Sequence, residues 1–116
     1  MILGRVDTVY LAVGATDLRK SIDGLAVIVQ ECFRLDPFSR HLFVFCNRKK
    51  DKIKVLEWGG DGFWLHYKRL EKGRFQWPDG DSQSLAVSQR EFRWLLDGLS
   101  LHQASANLEI SERIII

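Results

Sequence analysis

Basic and aromatic residues alternate between Cys46 and Phe75, in the run CNRKKDKIKVLEWGGDGFWLHYKRLEKGRF. Lysine and arginine neutralise nucleic-acid phosphates and release their counterions, and aromatic rings stack on bases. Residues 40–74 hold ten Lys or Arg and four acids, a local charge of +6, whereas the whole chain carries only +2. This run therefore supplies the candidate nucleic-acid-binding residues. They are Arg48, Lys49, Lys50, Lys52, Lys54, Lys68, Arg69, Lys72, Arg74, Trp58, Trp64 and His66.

Residue patterns typical of catalysis or of cofactor binding do not stand out elsewhere. His41, His66 and His102 do not have the spacing of a zinc site. The glycine clusters GGDG and PDGD match neither a phosphate-binding loop nor a dinucleotide fingerprint, and turns explain them better. The sequence therefore predicts no catalytic residues, no metal site and no cofactor, and it makes an enzyme the weakest hypothesis.

Length and composition indicate a cytoplasmic protein with one domain. The chain has 116 residues, 46% of them hydrophobic and 28% charged, which is ordinary for a globular protein. Cys32 and Cys46 lie in apolar runs, as reduced structural cysteines do. Neither a signal peptide nor an apolar run long enough to span a membrane is recognisable. We expect a single domain over residues 1–101 and a loosely ordered tail over residues 102–116.

Hydrophobic periodicity predicts an α+β fold. A first strand over residues 6–13 is followed by a helix that Thr16 or Asp17 would cap and that ends before Pro37. Ser88 and Glu91 form a capping box at the start of a second helix. Short connections with turn residues separate four further strand candidates: Leu42–Cys46, Lys52–Trp58, Phe63–Arg69 and Arg74–Trp77. We expect an antiparallel meander of about five strands with the two helices packed on one of its faces.

Side-chain alternation on that meander predicts a core face and a polar face. The core set is Ile53, Val55, Phe63, Leu65, Tyr67, Phe75 and Trp77. The polar set is Lys52, Lys54, Trp58, Trp64, His66, Lys68, Arg74 and Gln76, and Leu56 is a misfit on that side. Because alternate turns of a meander share one end, the turns 47–51 and 70–73 would bring cations together. We call this set the basic rim: Arg48, Lys49, Lys50, Lys52, Lys68, Arg69, Lys72 and Arg74.

Three interpretations of the basic rim remain open from these patterns. It contacts nucleic acid, it is simply a solvated surface, or it binds a protein partner. Charged turns are often only solvated, and lysines on strands protect sheet edges from pairing. The two tryptophans on the polar face favour a partner, since Trp and Arg are typical interface anchors.

Three runs, in order, resemble a known family: YLAVGATDLRKSIDGLAVIV, DPFSRHLFVFCNRKKDKIKVLEW and GDGFWLHYKRLEKGRFQWP. They are similar to the accessory proteins encoded by the second open reading frame of bacterial insertion sequences of family sixty-six, often called TnpB. The resemblance covers roughly residues 6–100.

The resemblance implies a non-catalytic accessory role in transposition beside a separate transposase, and it carries over no catalytic residues. The expected partners are DNA at the element ends and the transposase, with no membrane contact. The expected function is contact with that DNA, or with the transposase–DNA complex, through the basic rim. The alternatives are an adaptor that binds the transposase without touching DNA and, from another class, a metal-dependent nuclease with a carboxylate site. Arg19 and Lys20, in the first turn of the predicted helix, contact either a phosphate or the neighbouring Asp17 or Asp23.

Overall fold

The computed structural model describes residues 8–99 and 101. The centre of this part of the molecule is a mixed five-stranded sheet. The elements in chain order are β1 (Val9–Ala12), α1 (Ile22–Glu31), β2 (Leu42–Cys46), β3 (Lys52–Trp58), β4 (Phe63–Arg69), β5 (Ser84–Val87) and α2 (Gln89–Leu96). The order across the sheet is β4-β3-β2-β1-β5. The α+β class and the bounds of β2, β3 and β4 agree with the sequence prediction.

The prediction of a purely antiparallel meander is wrong, because β1 runs parallel to β2. Parallel neighbours need a crossover connection, and α1 supplies it. Only β2, β3 and β4 form the antiparallel meander. The other edge of β1 pairs with β5 in antiparallel orientation, in a register that runs from Val9–Val87 to Ala12–Ser84.

The segment 74–77, predicted as a strand, is irregular. Phe75 and Trp77 are nevertheless buried, as expected of core residues. The Trp77 indole N–H donates to the Ala12 carbonyl at 2.8 Å. This segment therefore packs on the sheet, and the fifth strand forms further along the chain, at β5.

Both faces of the sheet are covered, so the expectation that the helices share one face is also wrong. Phe92 and Leu95 of α2 pack with Phe75 and Trp77 on the face that Ile53 and Val55 present. Leu25 and Val29 of α1 pack on the opposite face in a second cluster: Ala12, Phe43, Phe45 and Leu56, with Phe63 and Leu65 beside them. Leu56, the misfit on the predicted polar face, is fully buried under α1.

The two helices begin differently. The capping box of α2 is confirmed: the Ser88 hydroxyl accepts from the Glu91 N–H at 3.0 Å, and the Glu91 carboxylate accepts from the Ser88 N–H at 2.9 Å. Neither Thr16 nor Asp17 caps α1, whose N-cap is Ser21. Asp17 instead belongs to a turn that precedes the helix. The predicted tail, residues 102–116, lies outside the described residues.

Candidate nucleic-acid interface

The two basic turns lie at the same end of the sheet. The Leu70 N–H donates to the Asp51 carbonyl at 2.7 Å, and the Phe75 N–H donates to the Lys50 carbonyl at 2.7 Å. These two bonds tie the segment after β4 directly to the turn between β2 and β3. The prediction that the two turns share one end is confirmed.

Asn47 builds the β2–β3 turn. Its side-chain carbonyl accepts from the backbone N–H groups of Asp51 and Lys52, at 3.1 and 3.0 Å. Its amide donates to the Asp51 carboxylate at 2.7 Å, which lowers the pKa of that carboxyl. Lys50 adopts a left-handed conformation, φ 62°, to close the turn. The side chains of Arg48 and Lys49 are left exposed at its tip.

Two of the eight rim cations have an acidic partner. Lys50 lies 3.6 Å from Asp79, and Arg69 lies 2.7 Å from Glu71, which raises the pKa of Arg69. The side chains of the other six make no ion pair or hydrogen bond within the described part of the chain. They are Arg48, Lys49, Lys52, Lys68, Lys72 and Arg74.

Lys54 has a structural role at this end of the sheet. Its Nζ donates to the carbonyls of Leu18 and Lys20, at 2.6 and 3.0 Å. An ammonium group held by two carbonyls fastens the loop between β1 and α1 to β3. We therefore separate Lys54 from the six unpaired cations.

The tryptophans lie away from the basic rim, and this corrects the predicted basic–aromatic face. Trp58 ends β3 on the α1 face, in an aromatic cluster with Phe38 and Phe63 at ring-centroid distances of 4.9 Å each. From Lys52 to Trp58 the strand extends about 20 Å. Trp64 lies on the α2 face, with its indole beside Gly59, so it also points to the far end. The two tryptophans cannot form one stacking surface with the rim.

His66 occupies the middle of β4, opposite Val55. Its imidazole stacks on Trp64, with the ring centroids 6.1 Å apart, and its Nε2 lies 2.8 Å from a carboxylate oxygen of Glu57. Trp64 is 62% exposed and remains open to a partner. His66 and Trp64 therefore form a second surface, distinct from the rim.

The aromatic residue beside the unpaired cations is Tyr67, which the sequence reasoning placed in the core. It is 56% exposed and lies directly opposite Lys54. With Lys52, Lys54, Leu18 and Leu65 it lines a groove of about 560 Å³. The signal that could have found it is its position at the edge of the sheet, two residues before the end of β4.

The loop between β1 and α1 completes this end of the sheet. A second groove, of about 470 Å³, runs between residues 15–19 of this loop and the side chains of Arg48, Lys49 and Lys52. The Arg19 guanidinium donates to the Asp17 carboxylate at 2.8 Å, and this bond lowers the pKa of Asp17 to about 2. The predicted intramolecular pairing of Arg19 with Asp17 is confirmed.

The described residues offer neither a metal-binding cluster nor a membrane-spanning helix. No three His, Cys, Asp or Glu side chains of residues 8–99 are grouped so that they could hold a metal ion. Within the same part of the chain, neither helix has the length and apolar character needed to cross a membrane.

Comparison with known proteins assigns the family. The model of a family described as "IS66 Orf2 like protein" matches residues 7–106. The chain belongs to this family. Membership associates it with transposition, as an accessory protein of insertion sequences of the IS66 type.

Two relatives come from Sinorhizobium fredii (strain NBRC 101917 / NGR234). The uncharacterized protein y4hO is 40% identical over 91 residues, which cover 78% of this chain and 79% of y4hO. The uncharacterized protein y4jC is 32% identical over 91 residues, which cover 78% of each chain. No solved structure matches the chain significantly.

Proposed function

We propose that this IS66 Orf2-like protein is a non-catalytic accessory factor that contacts element DNA, or the transposase–DNA complex, through its basic rim. The observation that carries the proposal is the set of six rim cations without an acidic partner in the described chain, gathered at one end of the sheet. Cations that are free of ion pairs can neutralise phosphates without first giving up an internal partner.

The strand register gives independent support. Lys52 of β3 stands directly opposite Arg69 of β4. Like charges at directly opposite positions destabilise a sheet. Glu71, 2.7 Å from Arg69, offsets part of this repulsion. The Lys52 ammonium has no ion pair among the described residues, so a bound polyanion would relieve what remains.

A pair of charge-reversal variants tests the proposal. Arg48→Glu with Lys49→Glu changes the tip of the β2–β3 turn and spares Lys50, whose carbonyl and left-handed backbone hold the turn. Arg40→Glu with Arg90→Glu is the matched control, because both arginines are exposed and lie near the opposite end of the sheet.

The assay is a fluorescence-anisotropy titration of an element-end duplex at several salt concentrations. We expect the rim variant to lose at least ten-fold in affinity and the control variant to stay within about two-fold, since rim contacts are local. Equal losses in both variants would show that only net charge matters and would reject the rim as the contact surface.

The adaptor is a second candidate, and one observation favours it. Phe38 is 52% exposed and packs edge-on against Trp58 and beside Phe63, at the end of the sheet away from the rim. Exposed aromatic clusters are typical centres of protein interfaces. An adaptor would co-purify with the transposase through Phe38 and would leave the anisotropy of DNA unchanged when the transposase is absent.

A further inference from the structure

Strand β4 is an edge of the sheet, and its outer backbone groups can be identified from the register. In the β3–β4 register, the pairs Gly59–Gly62 and Asp51–Leu70 each form a backbone hydrogen bond of 2.7 Å. Hydrogen-bonded and non-hydrogen-bonded pairs alternate along an antiparallel ladder. The intervening hydrogen-bonded pairs are therefore those of Lys68, His66 and Trp64. The N–H and C=O groups that point away from β3 belong to the alternate residues: Phe63, Leu65, Tyr67 and Arg69.

This edge lacks most of the features that protect exposed strands. It is seven residues long, has a continuous register with β3, and contains no proline. Trp64 and Tyr67 are 62% and 56% exposed on its two faces. Cations stand only at its C-terminal end, at Lys68 and Arg69. Among the described residues, no hydrogen bond reaches the outer backbone groups of β4 from outside the strand.

We propose that two copies of this chain pair through β4 in antiparallel orientation, with His66 of each copy opposite His66 of the other. In this register the two strands overlap over their full length. Phe63 faces the partner's Arg69, and Leu65 faces the partner's Tyr67. The outer N–H and C=O groups of all four residues in one copy then face the outer groups of the same four residues in the other. The two sheets become one continuous ten-stranded sheet.

The side chains of β4 complement themselves in this register. On the α2 face Trp64 lies opposite the partner's Lys68, and on the α1 face Phe63 lies opposite the partner's Arg69. Both are cation–aromatic pairs, and the two-fold symmetry forms each of them twice. A parallel in-register pairing would instead place Lys68 and Arg69 beside the same cations of the partner, which is unfavourable.

Complementarity between cations and aromatic rings selects a second copy as the occupant of this edge. The cations at the end of β4 match the aromatic residues at its start, so the strand carries its own complement. Lys68 and Arg69 of each basic rim lie within the paired strands, whereas the two β2–β3 turns lie at opposite ends of the pair and remain uncovered. One pair of short strands buries less surface area than a standard protein–protein interface. We therefore expect the fraction of dimer to depend on the protein concentration.

Disulfide trapping of the full chain tests the register. In a Cys32→Ser background, the remaining native thiol, Cys46, is buried. His66→Cys places two thiols directly opposite each other, where the Cα atoms of a non-hydrogen-bonded pair lie about 4.5 Å apart and a disulfide can form. Leu65→Cys is the matched control, because residue 65 faces the partner's residue 67 and its own counterpart lies beyond disulfide reach.

We expect mild oxidation to convert most of the His66→Cys protein, and little of the Leu65→Cys protein, to a covalent dimer on a non-reducing gel. Preferential linkage through residue 65 would establish a shifted register and overturn the proposal. A wild-type protein that sediments as a monomer at every concentration would also overturn it, with the edge then free or covered by another part of the chain.

A proline substitution tests the role of the outer N–H groups. The Tyr67 N–H points away from β3, so Tyr67→Pro removes an outer donor without removing a bond of the β3–β4 ladder. Tyr67→Ala is the control that loses the same ring and keeps the N–H. In sedimentation velocity we expect Tyr67→Pro to be monomeric at a concentration where Tyr67→Ala still dimerises. Dimers of equal strength in the two variants would contradict pairing through this edge.

Discussion

Replacing Lys54 and Lys52 by methionine separates the architecture of the basic end from its binding surface. Both lysines lie on β3, two residues apart and on the same face of the sheet. The Lys54 ammonium donates to two backbone carbonyls, at 2.6 and 3.0 Å, whereas the Lys52 ammonium has no hydrogen-bond or ion-pair partner among the described residues. Methionine keeps most of the aliphatic stem in both variants.

The magnitude follows from the two bonds of Lys54. A hydrogen bond to a charged group contributes about 1.5–3 kcal/mol, and water can replace part of it at this half-buried site. We therefore expect Lys54→Met to lower the free energy of unfolding by about 2 kcal/mol, which is about 8 °C in Tm for a domain of this size. Lys52→Met should stay within about 0.5 kcal/mol of the wild type.

In DNA binding we expect the opposite pattern, with an effect of Lys52→Met and none of Lys54→Met. Each phosphate contact contributes about 0.9 to the slope of log K against log salt, so Lys52→Met should make the slope shallower by about that amount. Lys54→Met should leave it unchanged. Urea unfolding followed by tryptophan fluorescence measures the stability, and anisotropy at 15 °C measures the slope. The reasoning is refuted if Lys54→Met is as stable as the wild type or flattens the slope as Lys52→Met does.

Three further predictions concern single groups. Ser88→Ala should cost about 1 kcal/mol in urea unfolding, because it removes the side-chain acceptor of the α2 capping box; an unchanged midpoint would contradict the cap. The pKa of Asp17 is lowered from 3.8 to about 2 by its bond to Arg19, so its stabilising contribution should be present above about pH 4 and be lost as the pH falls towards 2. The stability difference between wild type and Asp17→Asn should therefore narrow over that range, and a constant difference would argue against the pair. Burial raises the pKa of the Cys46 thiol to about 12, and Cys32 is exposed; a thiol reagent at pH 8 should modify Cys32 alone until urea unfolds the protein.

The sequence predicted the meander of β2, β3 and β4 to the residue because its signals are local. Each strand shows a short apolar pattern, and each connection carries turn residues. The rim prediction depended only on this meander. The order of three antiparallel strands is enough to bring the turns 47–51 and 70–73 to one end.

The pairing of β1 and the two faces of the sheet required long-range information. Alternation can separate a buried face from an exposed one, but the central strands of this sheet are buried on both faces, as Leu56 shows. The strand–helix–strand order from β1 to β2 is typical of parallel pairing, and this signal was available in the sequence. The strand β5 has only four residues, of which Leu85 and Ala86 are exposed at an edge, so its local pattern is weak.

The aromatic part of the predicted site was misplaced for a geometric reason. The prediction placed Trp58 and Trp64 on one face, but the β3–β4 register sets Trp58 opposite Phe63 on the α1 face and Trp64 opposite Glu57 on the α2 face. It also disregarded the position of each residue along its strand. Seven residues of β3 separate Trp58 from the rim by about 20 Å, and the strand length alone could have shown this. Lys54 differs, since only the position of the loop that carries Leu18 and Lys20 explains its role.

Site-specific photocrosslinking to DNA tests the central claim, contact between the basic rim and DNA, most directly. In a Cys32→Ser background, Lys49→Cys at the tip of the β2–β3 turn and Arg40→Cys before β2 each lose one cation and can carry the same thiol-linked photoreactive group. With a radiolabelled element-end duplex, we predict strong crosslinking from residue 49 and little from residue 40. Equal crosslinking from the two positions, or crosslinking from residue 40 alone, would contradict the account.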